Sequence, residues 1–237
     1  MMAKKGFNEE EIAKRFLEFK RYYQSKYSED LWNYIEENFW LYVYSNCAPD
    51  VLMQVYSEIG IQHEQGDFYD EHIKRIKERF DIGCNILDVA SGEIPSFANK
   101  LAREQMKIKK GTITLYEPLL IDTKPKYPNM TLYRQDFTPE TRIKEFDLVT
   151  GILPCEATET IIEQACRNQK DFYIAMCGCV HFAEPYYFGS QFSPYYYQTY
   201  VIDKTKKLLD KYGNGELEVT RLDSSFEIDY PILTNRR

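Results

Sequence analysis

The stretch from Asn85 to Ala98, N-I-L-D-V-A-S-G-E-I-P-S-F-A, decides the fold of this 237-residue chain. Its apolar residues form a strand that ends in the acidic Asp88, and a tight Ser91-Gly92 turn then leads into a helix. Strand, turn and helix in this order are typical of the first βα unit of a nucleotide-binding α/β sheet. In such a unit the ligand lies between the carboxyl end of the strand and the amino end of the helix. The stretch therefore predicts a nucleotide site at this turn.

The number of glycines in the turn narrows the choice of nucleotide. A dinucleotide fold needs G-x-G-x-x-G, because the backbone must approach a pyrophosphate closely, and this turn offers only Gly92. The missing glycines disfavour a nicotinamide dehydrogenase. S-adenosylmethionine carries no phosphate, and residues 88–95 resemble motif I of the class I S-adenosylmethionine-dependent methyltransferases. The resemblance implies S-adenosyl-L-methionine as cofactor, bound here by Asp88, Ala90, Ser91, Gly92, Glu93 and Pro95.

Beyond residue 85 the pattern of apolar residues predicts the rest of a sheet. Apolar runs at 86–90, 112–116, 130–133, 146–152 and 172–176 predict five parallel strands, because the intervals have room for crossover connections. After a helix at 195–212, segments 216–222 and 226–233 predict an antiparallel hairpin through Asp223-Ser224-Ser225. The predicted fold class is α/β, with the Rossmann-like seven-stranded mixed sheet of class I methyltransferases and an N-terminal helical extension.

The first 80 residues are predicted to be helical. Apolar and aromatic residues recur every three or four positions in segments 9–27 and 31–44, and shorter helices are expected at 51–59 and 72–80. We predict two domains, a helical extension at 1–82 and a methyltransferase domain at 83–237. The aromatic stripe either packs between helices or caps an active site. His63 and His72 are expected at the surface.

The second and third strands each lead into an acidic residue. Glu117 and Pro118 follow the second strand, 29 positions after Asp88 (117 minus 88), and a carboxylate there can accept hydrogen bonds from both ribose hydroxyls. Asp136 and Phe137 follow the third strand. The resemblance implies that Asp136 accepts the adenine amino group while Phe137 packs on the ring.

Two cysteine-containing runs follow the fourth and fifth strands. After Ile152 and Leu153 the chain reads Pro154-Cys155-Glu156-Ala157-Thr158-Glu159, and after the fifth strand it reads Cys177-Gly178-Cys179-Val180-His181. Both runs partially resemble the tRNA ribose 2'-O-methyltransferase subgroup over residues 85–181. This chain has one residue fewer in the first run, a glycine between its cysteines, and none of the subgroup's additional zinc-binding motifs. Ile152 and Leu153 are predicted to contact the cofactor, and Pro154, Glu156 and His181 are the catalytic candidates.

Methyl transfer from a sulfonium depends mainly on proximity and orientation. A hydroxyl acceptor would profit from a base, for which Glu156 and His181 are candidates, whereas the backbone carbonyl of Leu153 or Pro154 could orient an amine. Two further roles are open for the cysteines: a nucleophile formed by Cys155 with His181, and a metal site formed by Cys177, Cys179 and His181. The alternative to both is that the thiols pack at a strand end. We predict no metal site, because a fourth ligand is missing from the cluster.

Composition limits partners and location. A formal net charge of −7 disfavours a general nucleic-acid-binding surface, and no apolar run has the roughly 18 residues of a membrane span. Six cysteines without a paired framework fit reduced thiols, so a cytoplasmic protein without membrane partners is expected. Aromatic residues crowd segment 184–200, which would either cover the site and stack on a planar acceptor or form a packing surface.

The sequence thus predicts an S-adenosylmethionine-dependent methyltransferase that acts on an unidentified small-molecule or locally presented acceptor. Two alternatives stay open: a tRNA or RNA methyltransferase, and a non-catalytic S-adenosylmethionine-binding protein on the same fold, since fold alone does not give function.

Overall fold

The computed structural model of the chain describes residues 8–43, 50–60, 68–176, 194–222 and 231–236. These residues form two compact units, Met1–Glu71 and His72–Arg237. The boundary falls inside a helix, α4, which spans Phe68–Arg79. The division at residue 82 into an extension and a methyltransferase domain stays a prediction.

The first unit contains the predicted helices α1 (Glu9–Tyr23), α2 (Glu29–Tyr42) and α3 (Asp50–Glu58). The first helix ends at Tyr23, before the expected residue 27, and a short 3₁₀ turn at Gln24–Lys26 follows it. Its aromatic stripe packs against α2, with the ring centroids of Phe16 and Phe39 4.0 Å apart. Between these helices the stripe therefore serves as core.

The second unit contains the predicted sheet. Its strands are β1 (Asn85–Val89), β2 (Thr112–Tyr116), β3 (Met130–Tyr133), β4 (Leu148–Ile152), β5 (Asp171–Ala175), β6 (Glu216–Arg221) and β7 (Pro231–Arg236), in the order β3-β2-β1-β4-β5-β7-β6. The first five strands are parallel, and β7 pairs antiparallel with both β5 and β6. The expected seven-stranded mixed sheet is confirmed. The expected hairpin turn and the start of the expected last strand lie outside the described residues.

Helices cover both faces of the sheet. Besides α4, whose His72 contacts β5, they are α5 (Ser96–Ile108), α6 (Thr158–Arg167) and α7 (Pro194–Tyr212). Leu87, Val149 and Ile174 face α6 and α7 and belong to the main hydrophobic core. The strand residues between them, including Asp88 and Thr150, point to the opposite face, because successive side chains of a strand alternate.

The expectation for His72 is wrong. Its side chain is fully buried, and its Nδ1 lies 2.7 Å from the hydroxyl of Tyr173 on β5. Ile73 and Ile76 are buried on the same helix. The prediction failed because charged residues predominate in α4, and the buried residues His72, Ile73 and Ile76 occupy only one side of the helix. His63 lies outside the described residues.

Candidate functional site at the carboxyl edge of the sheet

The site centres on Asp88, the fourth residue of β1. Its carboxyl group is fully buried and accepts a hydrogen bond from Thr150 Oγ1 at 2.7 Å and another from Ser91 Oγ. Thr150 is the register partner of Asp88 on β4, which brings the two side chains together. Asp88 is thus tied both to the neighbouring strand and to the turn that follows its own strand.

Burial raises the pKa of the Asp88 carboxyl to about 7. Its hydrogen bonds from Ser91 and Thr150 oppose this shift because they stabilise the ionised form, whereas the nearby charge of Glu117 adds to it. Asp88 is therefore an acid whose two protonation states are balanced near neutral pH. A strongly perturbed acid beside an open turn is typical of functional sites.

The turn after β1 has the shape that the sequence indicated. Ala90 has a φ of +58° while its N–H still donates to Tyr116 O at 2.9 Å, so the chain bends directly after its last bond to β2. Gly92 has a φ of +77°, a region that favours glycine. A Cβ at Gly92 would meet no atom within 4 Å. This glycine therefore serves the backbone conformation of the turn and leaves open space above it.

Glu117 connects the second strand to this turn. Only 5% of it is exposed, and its two carboxylate oxygens accept backbone N–H bonds from Gly92 and from Leu119, both at 2.9 Å. A carboxylate offers about four lone-pair sites, so roughly two remain after these bonds. Glu117 is a fixed acceptor beside the open turn.

The segment after β2 also contacts the turn. Ile121 N donates to Glu93 O at 3.1 Å, and an Arg134 guanidinium N donates to Ile121 O at 2.5 Å. Pro118 is exposed, and Pro95 is buried at the start of α5. The backbone of the β2–β3 connection is thereby held against the backbone of the β1–α5 turn.

The predicted adenine contacts lie at the end of β3. Phe137 is half-buried against the main core, with its ring centroid 6.1 Å from that of Tyr116, whereas Asp136 is exposed. The structure places both residues beyond the end of the third strand, as expected. Their contact with adenine stays a prediction.

The end of β4 has unusual backbone geometry. Ile152 is buried as the last strand residue, and Leu153 and Cys155 have φ values of +58° and +44°. Left-handed conformations are costly for such side chains, and outside helix ends they cluster at active sites and ligand-binding segments. Pro154 is buried, its ring next to Gly151, and Glu156 is exposed on a 3₁₀ turn. His181, with Cys177 and Cys179, lies outside the described residues.

Sequence reasoning missed Thr150. The signal was a polar residue in the middle of the apolar strand L-V-T-G-I, where a hydroxyl needs a partner once it is buried.

Of the aromatic segment 184–200, the described side chains serve packing: Tyr197 is buried in the main core, and the Tyr200 hydroxyl lies 3.3 Å from Glu159 Oε2. No group of three or more His, Cys, Asp or Glu among the described residues could hold a metal ion. None of the described helices is long and apolar enough to span a membrane.

Comparison with known proteins yields structural similarity only. No family model matches the chain, and no curated protein sequence matches it. A precorrin-6y C5,15-methyltransferase from Geobacter metallireducens GS-15 is 15% identical, with a TM-score of 0.44 over 74% of this chain and 88% of that one. The DszA carbon methyltransferase is 16% identical, with a TM-score of 0.45 over 95% and 70%. The 23S rRNA methyltransferase ErmE is 15% identical, with a TM-score of 0.42 over 70% and 68%.

These identities and TM-scores are low. The assignment of the fold therefore rests on the strand order and register of the sheet itself.

Proposed function

We propose that the protein is an S-adenosylmethionine-dependent methyltransferase whose cofactor site is the carboxyl edge of β1 and β2. The observation that carries the proposal is Glu117, a buried carboxylate that accepts the N–H of Gly92 beside the open turn. Its remaining lone pairs suit the vicinal diol of a ribose. The single glycine suits a nucleoside without a pyrophosphate.

The cofactor supplies an electrophilic methyl group on a sulfonium, and the chain's task is to orient the acceptor. We propose that the carbonyl of Leu153 does so for an amine acceptor, in preference to that of Pro154. Pro154 O accepts the N–H of Ala157 at 2.9 Å, whereas Leu153 O accepts the Cys155 thiol at 3.4 Å. A thiol is a weak donor, so the Leu153 carbonyl keeps more of its acceptor capacity.

For a hydroxyl acceptor, we propose Glu156 or His181 as the base. Glu156 is exposed on the 3₁₀ turn that follows β4, at the same edge of the sheet as Asp88. An ionised Glu156 carboxylate could accept the hydroxyl proton as the methyl group is transferred. The acceptor is a small molecule or a locally presented group, and an RNA methyltransferase and a non-catalytic binder are the competing functions.

Calorimetric titration with S-adenosylmethionine, S-adenosylhomocysteine and NAD tests the cofactor assignment. We expect binding of the first two ligands and none of NAD. Glu117→Ala should weaken S-adenosylhomocysteine binding by about 1 to 3 kcal/mol, because a charged acceptor is lost. Binding of both sulfur ligands without methyl transfer to any acceptor would favour the non-catalytic alternative, and unchanged affinity in a folded Glu117→Ala variant would remove the ribose assignment.

A further inference from the structure

One face of the sheet at its β3 edge is not covered by a helix of the described residues. The connections at 117–129 and 134–147, which flank β3, contain no helix. Parallel sheets normally have helices on both faces. On the other face α5 lies close, and Asn129 Nδ2 donates to Ala102 O at 3.3 Å. Thr131 and Tyr133 of β3 are consequently exposed on the uncovered face.

Tyr133 offers a supported aromatic ring on this face. It is 41% exposed, and its centroid lies 4.9 Å from that of Tyr116, its register partner on β2. Tyr116 contacts Phe137, which packs against the main core. Because Tyr116 already packs against the Tyr133 ring, that ring can stack on a planar group without first losing conformational freedom. This lowers the entropic cost of binding.

The charge of the chain is unevenly distributed along its sequence. Segment 107–145 contains eight Lys or Arg and five Asp or Glu, a net charge of +3, so the remaining residues carry −10 of the total of −7. The connections to β2, β3 and β4 carry these exposed cations: Lys109, Lys110, Lys124, Lys126, Arg134, Arg142 and Lys144. Among the acids, Glu145 is close enough to Tyr116 to raise the pKa of that phenol, after the larger effects of burial and of Tyr133. A polyanion is therefore attracted to this edge more than to the rest of the molecule.

We propose that the uncovered face of β2 and β3 binds unpaired nucleotides of a single-stranded nucleic acid, with a base stacked on Tyr133 at the carboxyl end of β3 and the phosphate backbone continuing toward the cations that precede the three strands. Aromatic residues on an exposed sheet face combined with a basic border are the elements of single-strand recognition. A duplex hides its base faces and gains nothing from Tyr133.

The face adjoins the candidate site, because Glu117 N donates to Tyr133 O at 3.1 Å. A strand bound there would lie beside the turn at Gly92. Binding by itself does not depend on methyl transfer, whereas its interpretation as docking of the methyl acceptor rests on the proposed methyl transfer, with an unpaired nucleotide as the locally presented acceptor.

Fluorescence anisotropy tests the proposal with a labelled oligouridylate of about ten nucleotides, its deoxy counterpart and an RNA duplex of equal length. Tyr133→Ala should weaken single-strand binding by about 5- to 100-fold, as expected for the loss of one base–aromatic stack. Tyr133→Phe should bind like the parent, because it keeps the ring. Tyr22→Ala is the matched control: Tyr22 is 77% exposed but lies in the Met1–Glu71 unit.

A Lys109→Glu/Lys110→Glu variant should reduce the salt dependence of binding. Tighter binding of either the RNA or the DNA strand identifies the natural ligand. Duplex binding as tight as single-strand binding, or a Tyr133→Ala variant that binds like the parent, would overturn the proposal. Titration of the same variants with S-adenosylhomocysteine separates the two functions, since Tyr133→Ala should leave that affinity unchanged.

Discussion

Asp88 and His72 are two buried ionisable side chains of the second unit, and they have opposite characters. Asp88 contacts Thr150 on β4, and His72 contacts Tyr173, the register partner of Thr150 on β5. Burial favours the neutral form of each, which raises the pKa of Asp88 to about 7 and lowers that of His72 to about 3. A smaller contribution from the positive charge of Arg75 also lowers the pKa of His72.

The surroundings distinguish a candidate functional group from a structural one. Asp88 receives two hydroxyl donors that stabilise its charged form, and it borders a turn with open space at Gly92. His72 lies on the buried side of α4 and contacts Tyr173 of β5. A perturbed pKa alone therefore does not identify a site, because both groups have one. Adjacency to an open turn and stabilisation of the charged form separate Asp88 from His72.

The largest expected effect of this contrast is on stability. His72→Ala removes a buried ring and leaves the Tyr173 hydroxyl without this partner, so the free energy of unfolding should fall by about 3 kcal/mol. Affinity for S-adenosylhomocysteine should be unchanged in the folded protein. Urea unfolding and calorimetry measure the two quantities. A folded His72→Ala variant that no longer binds the ligand would contradict the structural role of His72.

The pH dependence of stability separates the same two groups. Between about pH 4 and pH 6.5, unfolding adds a proton to His72 and removes one from Asp88. Their contributions to the pH dependence of the free energy of unfolding therefore cancel. In His72→Phe only the Asp88 term remains, and stability should fall relative to the parent by about 1.4 kcal/mol per unit rise in pH. In Asp88→Asn only the His72 term remains, and stability should rise with pH by the same amount.

Urea midpoints of the parent and both variants, measured at several pH values in this window, give these slopes. Parallel curves for all three proteins would show that neither group titrates differently on folding.

Ligand binding should respond to Asp88 in the opposite sense from stability. At pH 8 the Asp88→Asn substitution removes a buried charge, so we expect the free energy of unfolding to rise by about 2 kcal/mol. The affinity for S-adenosylhomocysteine should fall, because the Ser91 hydroxyl loses a charged acceptor that fixes the turn. A variant that is more stable and binds as tightly as the parent would assign Asp88 no role in the site.

Thr150 gives the smallest effect. Thr150→Val removes the donor to Asp88 Oδ1 while keeping the shape of the side chain, and should weaken S-adenosylhomocysteine binding by about 1 kcal/mol. Thr150→Ser is the matched control, because it restores the hydroxyl. Calorimetry at pH 6 and pH 8 should show the larger loss at the pH where Asp88 is ionised. Equal losses in the valine and serine variants would point to packing instead of the hydrogen bond.

The sequence predicted much of the fold because apolar periodicity changes along the chain. Strands β2 and β3 have the expected bounds, and the acids Asp88 and Glu117 are brought together at one edge as parallel strands require. The burial of His72 could not be predicted, since it depends on which side of α4 meets the sheet. Nor could the two backbone donors to Glu117, because they come from turns whose path is set by tertiary contacts.

A crystal structure of the protein with S-adenosylhomocysteine tests the central claim most directly. We expect ligand density between Gly92, Glu117 and Asp136, with the ribose hydroxyls within hydrogen-bonding distance of Glu117 and with His72 still bonded to Tyr173. Density elsewhere on the molecule, with the turn at Gly92 empty and Glu117 bound only to its backbone donors, would contradict it.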